Sequence, residues 1–218
     1  MTDTPRVLVL GETTFPFHDI DEVGPRFLAV LTDADVTVSG DRASLLELSE
    51  YDVLVDYLTD STLTDEQTAA LQSFVADGGG YVGVHCAADL TSRAPDDPDE
   101  LIASREEPVP ELREIVGGHF LNHPEQAEFG VEVVADHPIT DGVDDFRVFD
   151  EPYQVTADDD VAVLARMAHP DLEEYPVVWT NPAAGRVAYV SLGHTEDAFE
   201  TEGFRRLLRN AVAWAAEA

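Results

Sequence analysis

Gly78-Gly79-Gly80-Tyr81-Val82-Gly83-Val84-His85-Cys86-Ala87-Ala88-Asp89 is the stretch whose reading decides the fold. The three glycines end whatever precedes them. Tyr81, Val82 and Val84 suit a strand. His85, Cys86 and Asp89 then fall where that strand should stop. In open α/β sheets, ligands bind outside the carboxyl ends of strands. The segment Gly83-Val84-His85-Cys86-Ala87 has the small-x-polar-x-small spacing of a nucleophile elbow, a strand-to-helix turn that exposes one side chain above a sheet. Its last position is Ala rather than Gly, so support must come from the rest of the chain.

Upstream, Arg6-Val-Leu-Val-Leu-Gly11 reads as a buried parallel strand. A loop over residues 12–19 follows, then a helix from Val23 to Leu31. A second strand at Val36–Val38, a short helix around Leu45, Leu46 and Leu48, and a third strand at Tyr51–Tyr57 come next. Thr64-Asp65-Glu66-Gln67 has the pattern of a capping box, with Gly78 as the C-terminal stop of that helix. Strand and helix thus alternate through the first 90 residues, which argues for a parallel sheet covered on both faces.

Downstream, residues 91–110 are rich in Pro, Asp and Glu and read as an exposed insertion or lid. Glu111–Val116 suits a helix. Phe129–Val134, Arg147–Val155 and Val161–Ala165 suit strands, and Pro176–Trp179 with Arg186–Leu192 reads as a hairpin. Phe204, Leu207, Leu208, Ala211, Val212 and Ala215 fall at helical spacing. No internal repeat or linker is visible, so residues 1–218 are expected to form one domain.

Composition removes several function classes. Asp and Glu number 45 against 12 basic residues, for a formal net charge of -33. All basic residues are Arg, and the chain contains no Lys. That excludes a Schiff-base lysine, a Walker A lysine and a kinase lysine within this chain. The charge disfavours nucleic acid and anionic membranes as partners. Such self-repulsion destabilises a compact state, yet at molar salt the screening length falls to roughly 3 Å. A salt-rich cytoplasm is therefore the expected setting. No apolar run reaches membrane-spanning length, and Met1–Arg6 lacks the basic start and apolar core of a signal peptide. The lone Cys86 excludes an intrachain disulfide and a multi-cysteine zinc site.

Histidine carries the chemistry that remains. His18, His85 and His194 follow strands one, four and the last, whose ends converge in a parallel sheet; function is favoured for these three. His123, His137 and His169 sit in proline turns and read as scattered surface histidines. In Gly193-His194-Thr195-Glu196 a strand delivers an imidazole with a carboxylate two residues on, and such a carboxylate can fix the tautomer of the ring.

These residues together resemble the ThuA-like (trehalose utilisation) domain family, within the class I glutamine amidotransferase-like superfamily. The matching blocks are residues 78–89, Gly117-Gly118-His119-Phe120, His137-Pro138-Ile139-Thr140, Asp150-Glu151-Pro152-Tyr153, Pro176–Trp179, and Gly185–Val187 through Gly193-His194-Thr195 to Phe199. The resemblance implies an α/β fold: a flavodoxin-like three-layer sandwich with a mostly parallel central sheet. It implies a pocket above strands one and four and a role in carbohydrate metabolism, with a trehalose-type or keto-sugar substrate as the small-molecule partner.

In the amidotransferases the elbow centre is the nucleophilic cysteine. Here His85 holds that place, so the expected catalytic set is His85, His194 and Glu196, with Glu196 orienting His194, and Cys86 is expected to be a buried structural residue. Glu151, Tyr153, His119 and Asp89 are the expected substrate-binding residues. Two chemistries stay open. In one, His18, His85, His119 and His194, with Glu151, hold a divalent metal such as zinc. In the other, His85 and His194 exchange protons with a sugar without metal. A non-catalytic sugar-binding or assembly module with a decayed triad is the alternative class. The sequence leaves a homo-oligomer open.

Overall fold

The computed structural model describes residues 4–97 and 99–217. The first half follows the alternation read from the sequence. Strand β1 (Arg6–Leu10) leads into helix α1 (Ile20–Val30), then β2 (Asp35–Ser39), a 3-10 segment (Arg42–Glu50), β3 (Val53–Asp56), α2 (Asp65–Ala76) and β4 (Gly80–Val84). Asp19 caps α1 by accepting from the Asp21 amide at 2.9 Å. Thr64 and Gln67 form the reciprocal capping box of α2, satisfying two amides that a helix start leaves unpaired. Gly78, with φ of 96°, supplies the left-handed turn that ends this helix.

After β4 come a 3-10 turn (His85–Ala88), the two-residue strands β5 (Ser92–Arg93) and β6 (Ala103–Ser104), helix α3 (Pro110–Val116), β7 (Gly118–Asn122) and β8 (Ala127–Val133). The remainder is β9 (Phe146–Asp150), β10 (Gln154–Ala157), β11 (Ala162–Ala168), β12 (Pro176–Thr180), β13 (Val187–Val190), α4 (Glu196–Glu200) and α5 (Glu202–Ala215).

Among the described residues, nine strands form one sheet in the order β2-β1-β3-β4-β13-β12-β11-β8-β9. From β2 to β13 the pairing is parallel. From β13 to β9 it is antiparallel. Alternate residues of the parallel strands feed two cores. Val7, Val9, Val82 and Val84 pack under α1 and α5. Leu8, Leu10, Tyr81 and Tyr189 pack under α2 and α3. The result is a helix–sheet–helix sandwich, because parallel strands buried on both faces must be apolar on both. Trp179 belongs to the second core, fully buried with Nε1 donating to the Val116 carbonyl at 2.8 Å.

One expected strand is two. Residues 147–155 break at Glu151-Pro152-Tyr153, where the proline has no amide to donate to a ladder. β9 closes the main sheet against β8, whereas β10 leaves it and pairs with β7 in a separate antiparallel ribbon. Segment 91–110 carries the β5–β6 pair. It is fastened to the end of β3 by the Ala94 amide on Asp60 Oδ2 at 2.9 Å and by Arg105, which donates to the Ser92 carbonyl at 2.7 Å and lies 3.6 Å from Asp60 Oδ1. Among the described residues no helix is long and apolar enough to cross a membrane.

Candidate active site

Four side chains from distant parts of the chain meet above the carboxyl ends of the strands: His18, His85, Glu151 and His194. One potential ligand atom from each lies within 4.8 Å of the others. Each is delivered by a distinct local device.

His18 sits in the loop between β1 and α1. That loop is pinched by the bridge between Glu12 and Asp19, in which the Ile20 amide donates to the Glu12 carbonyl at 2.9 Å. His85 is the elbow residue after β4. Among the described residues, these two histidines are the non-glycine positions with φ in the left-handed region, at 58° and 48°. A bulky residue held there costs of order 1–3 kcal/mol, and such strain gathers at functional sites.

His194 follows Gly193, whose φ of 122° turns the chain at the end of β13. The Asp150 carboxylate grips this turn, accepting from the amides of Gly193 at 2.7 Å, His194 at 3.2 Å and Thr195 at 3.2 Å. Tyr57 Oη donates to the Gly193 carbonyl at 2.8 Å. Burial raises the Asp150 carboxyl above the ordinary range, against the pull of the His85 charge and the amide donors. Glu151, next along, projects inward at the end of β9.

The Glu151 carboxylate is the hub. Oε2 lies 3.3 Å from His85 Nε2 and 3.6 Å from His123 Nε2, and Oε1 lies 3.3 Å from His194 Nε2. His85 Nδ1 is 2.9 Å from the Ser191 carbonyl oxygen. A carbonyl only accepts, so Nδ1 carries the proton. Nε2 is the ring atom left to face Glu151. That atom is buried and makes no hydrogen bond. On the far side, His18 Nε2 is 2.8 Å from His194 Nδ1, and His18 Nδ1 is 2.8 Å from Thr59 Oγ1.

Burial, then the repulsion of His85 and His194, pushes the His18 pKa well below the ordinary imidazole value. Burial, then His85, lowers His194 to about 4, with Glu151 pulling the other way. Burial opposes ionisation of Glu151, but its contacts with His85, His194 and His123 outweigh it and hold the carboxyl below the usual range. At neutral pH the Glu151 carboxylate thus sits beside the neutral rings of His18 and His194.

Aromatic rings pack around the cluster. Tyr153 packs on His85 with ring centres 4.1 Å apart, and Phe120 packs on Tyr153 at 4.4 Å. Phe17 stacks on Phe15 at 5.3 Å and meets His18 edge-on at 5.1 Å. Among the described residues no phenylalanine ring packs on His85 or His194; the phenyl groups flank the cluster without filling it.

Three further expected site residues are placed as follows. Glu196 does not orient His194: it is exposed in the first turn of α4, and the carboxylate facing His194 is Glu151. His119 is outside the cluster, because Arg113 Nε donates to its Nδ1 at 3.1 Å and Thr156 Oγ1 lies 2.8 Å from the same atom. Asp89 spends Oδ1 on the loop that follows it, accepting from the Ser92 amide at 3.1 Å and the Thr91 hydroxyl at 3.2 Å.

His123, read as a surface histidine on account of Pro124, reaches Glu151 and packs against Tyr153 at 5.7 Å. Its signal lay in the β7–β10 ribbon, whose pairing of Gln154 with Asn122 sets residue 123 beside the 151–153 turn. Cys86 is fully buried, donates its thiol to the Tyr57 carbonyl at 3.2 Å, and has its pKa raised well above the ordinary value by burial.

Comparison with known proteins agrees with this architecture. A ThuA-like protein of Bacteroides uniformis superposes with a TM-score of 0.74 at 22% identity, covering 99% of this chain and 93% of that one. A ThuA-like protein of Parabacteroides merdae gives 0.72 at 18% identity, covering 98% and 90%. A GMP synthase protein of Thermoplasma acidophilum gives 0.58 at 14% identity, covering 99% and 96%, and so shares the amidotransferase-like fold. No curated protein matches the sequence. The ThuA family, described as trehalose utilisation, matches residues 6–215, and the chain belongs to that family.

Proposed function

We propose that the protein is an enzyme of carbohydrate metabolism acting on a neutral sugar, trehalose or a keto-sugar derived from a disaccharide, by acid–base or metal-assisted chemistry. One observation carries the reading: the two Glu151 oxygens lie 3.3 Å from His85 Nε2 and from His194 Nε2, in a cluster whose two backbone-strained residues are themselves site histidines. Strain of that kind has no use in a packing module.

The chemistry belongs to a sugar carbon bearing a hydroxyl or carbonyl. In this reading Glu151 and the two imidazoles take and return a proton there, as isomerisation, hydration or hydrolysis requires. Thiol chemistry is disfavoured, because Cys86 is sealed under the elbow with its thiol held protonated. A phosphorylated or acidic sugar is disfavoured too. The chain has no Lys, Arg42 and Arg105 are spent on Glu12 and Asp60, and among the described residues Arg26 is the one arginine whose charge bears on His194. The flanking Phe17, Phe120 and Tyr153 suit the apolar face of a sugar ring. The acidic composition suits work in a salt-rich cytoplasm.

The test is turnover on a panel of disaccharides, monosaccharides and their 3-keto derivatives, comparing wild type with His85→Ala and His194→Ala. Turnover by wild type and its loss in both variants is expected. Unchanged turnover in both would refute the assignment. Binding of a sugar with no turnover would favour the non-catalytic module.

A further inference from the structure

The open choice between metal-free and metal-assisted chemistry turns on what lies between His85 and Glu151. The Ser191 carbonyl fixes a proton on His85 Nδ1, so Nε2 is the atom aimed at a carboxylate oxygen 3.3 Å away. With no proton on Nε2, two electron-rich atoms face each other and repel, and the full burial of His85 keeps water from screening them. Something positive must sit there. A proton on Nε2 would make a charge-assisted hydrogen bond, which runs at about 2.7–2.9 Å and nearly linear. The contact is longer than that, and Nε2 makes no hydrogen bond.

A divalent ion meets the same geometry well. Nitrogen and oxygen donors bind zinc-like ions at about 2.0–2.2 Å, so two donors on one ion at tetrahedral or octahedral angles lie roughly 3.0–3.4 Å apart. Both the His85–Glu151 and the His194–Glu151 separations are 3.3 Å. The outer contacts also fit. A metal-bound imidazole commonly donates its other N–H to a carbonyl, a carboxylate or another acceptor that fixes the ring. His85 does so to Ser191.

His194 has His18 in that position. His18 Nε2 is taken up by His194 Nδ1 and His18 Nδ1 by Thr59 Oγ1, so neither nitrogen of His18 is left over. A proton on His194 Nδ1 donated to His18, with the His18 Nδ1 proton donated to Thr59, leaves the His194 Nε2 lone pair facing Glu151.

We infer that His85 Nε2, His194 Nε2 and the Glu151 carboxylate are the three protein ligands of a divalent first-row metal ion, and that His18 is a positioning residue that holds His194 through its Nδ1. This rests on the reading of the cluster as the functional site and narrows it. His119, also expected as a ligand from sequence, takes no part. Three ligands leave further coordination positions for water or a sugar oxygen, as catalytic rather than structural sites do. Bound there, such an ion would polarise a carbonyl or lower the pKa of a bound water.

The experiment is metal stoichiometry and affinity on the full chain. Protein stripped with chelator in buffer of high KCl is titrated with Zn2+, and separately with Co2+, whose visible absorption reports nitrogen and oxygen ligation. Wild type is expected to bind one ion per chain and to gain thermal stability with metal concentration. Glu151→Gln and His85→Asn are expected to lose the stoichiometric site. His85→Asn keeps a residue type that tolerates left-handed φ, and Glu151→Gln keeps the side-chain shape, so folding is checked on each by circular dichroism. His18→Ala is expected to keep one ion and the Co2+ absorption with affinity weakened about 10–100-fold. His18→Gln, which restores an acceptor for His194 Nδ1–H, is expected to recover part of that loss.

Wild type that binds no stoichiometric ion, or Glu151→Gln that binds as wild type does, would overturn the centre. Complete loss of the ion in a folded His18→Ala would overturn the positioning role. Sugar turnover by metal-free wild type would remove the metal while sparing the enzyme. One bound ion without turnover on any sugar would spare the metal centre and remove the enzyme.

Discussion

The His85 ring and the Ser191 carbonyl are joined by a 2.9 Å hydrogen bond between the residue after β4 and the residue after β13. A second bond runs the other way along the same seam, from Tyr189 Oη to the His85 carbonyl at 2.6 Å. The elbow is therefore clamped at both its side chain and its backbone. That clamp is what keeps a histidine at φ of 48°, a conformation that costs an L-residue about 1–2 kcal/mol.

A pair of substitutions isolates that cost. His85→Gly and His85→Ala remove the same ring and the same bond to Ser191. Only Gly accepts the left-handed backbone freely. His85→Gly is expected to be more stable than His85→Ala by about 1 kcal/mol in chemical denaturation, the reverse of the usual order. Ala equal to or better than Gly would show that the backbone at 85 is not held left-handed.

Glu151→Gln keeps volume and removes the charge at the hub of the cluster. Sugar turnover is expected to fall at least about 100-fold, the scale of a lost acid–base or ligating group. Cys86→Ala, in the core beneath the elbow, is expected to leave kcat within a few-fold of wild type. Comparable loss in Cys86→Ala would return the chemistry to the thiol.

Asp56, at the end of β3, gives a pH signature separate from the site. It is buried, accepting from the Leu58 amide at 2.9 Å and from Tyr81 Oη at 2.7 Å. Burial raises its pKa from 3.8 to about 6, and those two hydrogen bonds offset only part of the shift. The folded state therefore favours the protonated form. Its ionisation costs nothing below the unfolded value of 3.8. The cost grows between about pH 4 and 6 and is complete above 6, at roughly 3 kcal/mol. Asp56→Asn is expected to gain on wild type across that interval in denaturant melts taken from about pH 4 to 7. A difference that stays flat with pH would show that Asp56 does not change its protonation on folding.

The formal charge of -33 sets the salt response. Screening of that repulsion is expected to raise Tm steadily from dilute buffer to molar KCl. Identical melting at both ends of that range would remove the inferred adaptation to high salt.

The layered fold was legible because its signals are local. Apolar runs at Arg6–Leu10 and Gly80–Val84, the Thr64–Gln67 cap and the spacing of α5 each announce one element. The histidine half of the site was legible for the same reason, since strand ends in a parallel sheet point to one edge. The carboxylate half was not. Glu196 lies two residues from His194 in sequence, yet the first turn of α4 carries it to the surface. Glu151 comes from an antiparallel strand whose place is fixed by the pairing of Ala127 with Asp150, and no local pattern predicts that register. His119 stands apart from the four because a neighbour on α3, Arg113, engages its ring, and His123 was passed over because Pro124 made it look like an ordinary turn.

The four cluster residues stand at positions 18, 85, 151 and 194, and this spacing has a consequence for biosynthesis. A chain growing on the ribosome exposes His18 and His85 early and can form the parallel strands β1 to β4 around them. Until β13 emerges, the seam that holds His85 through Ser191 is missing, and His194 arrives later still. No partial chain offers the complete constellation. The full set of four can therefore meet a ligand only after β13 and the turn at Gly193 are in place.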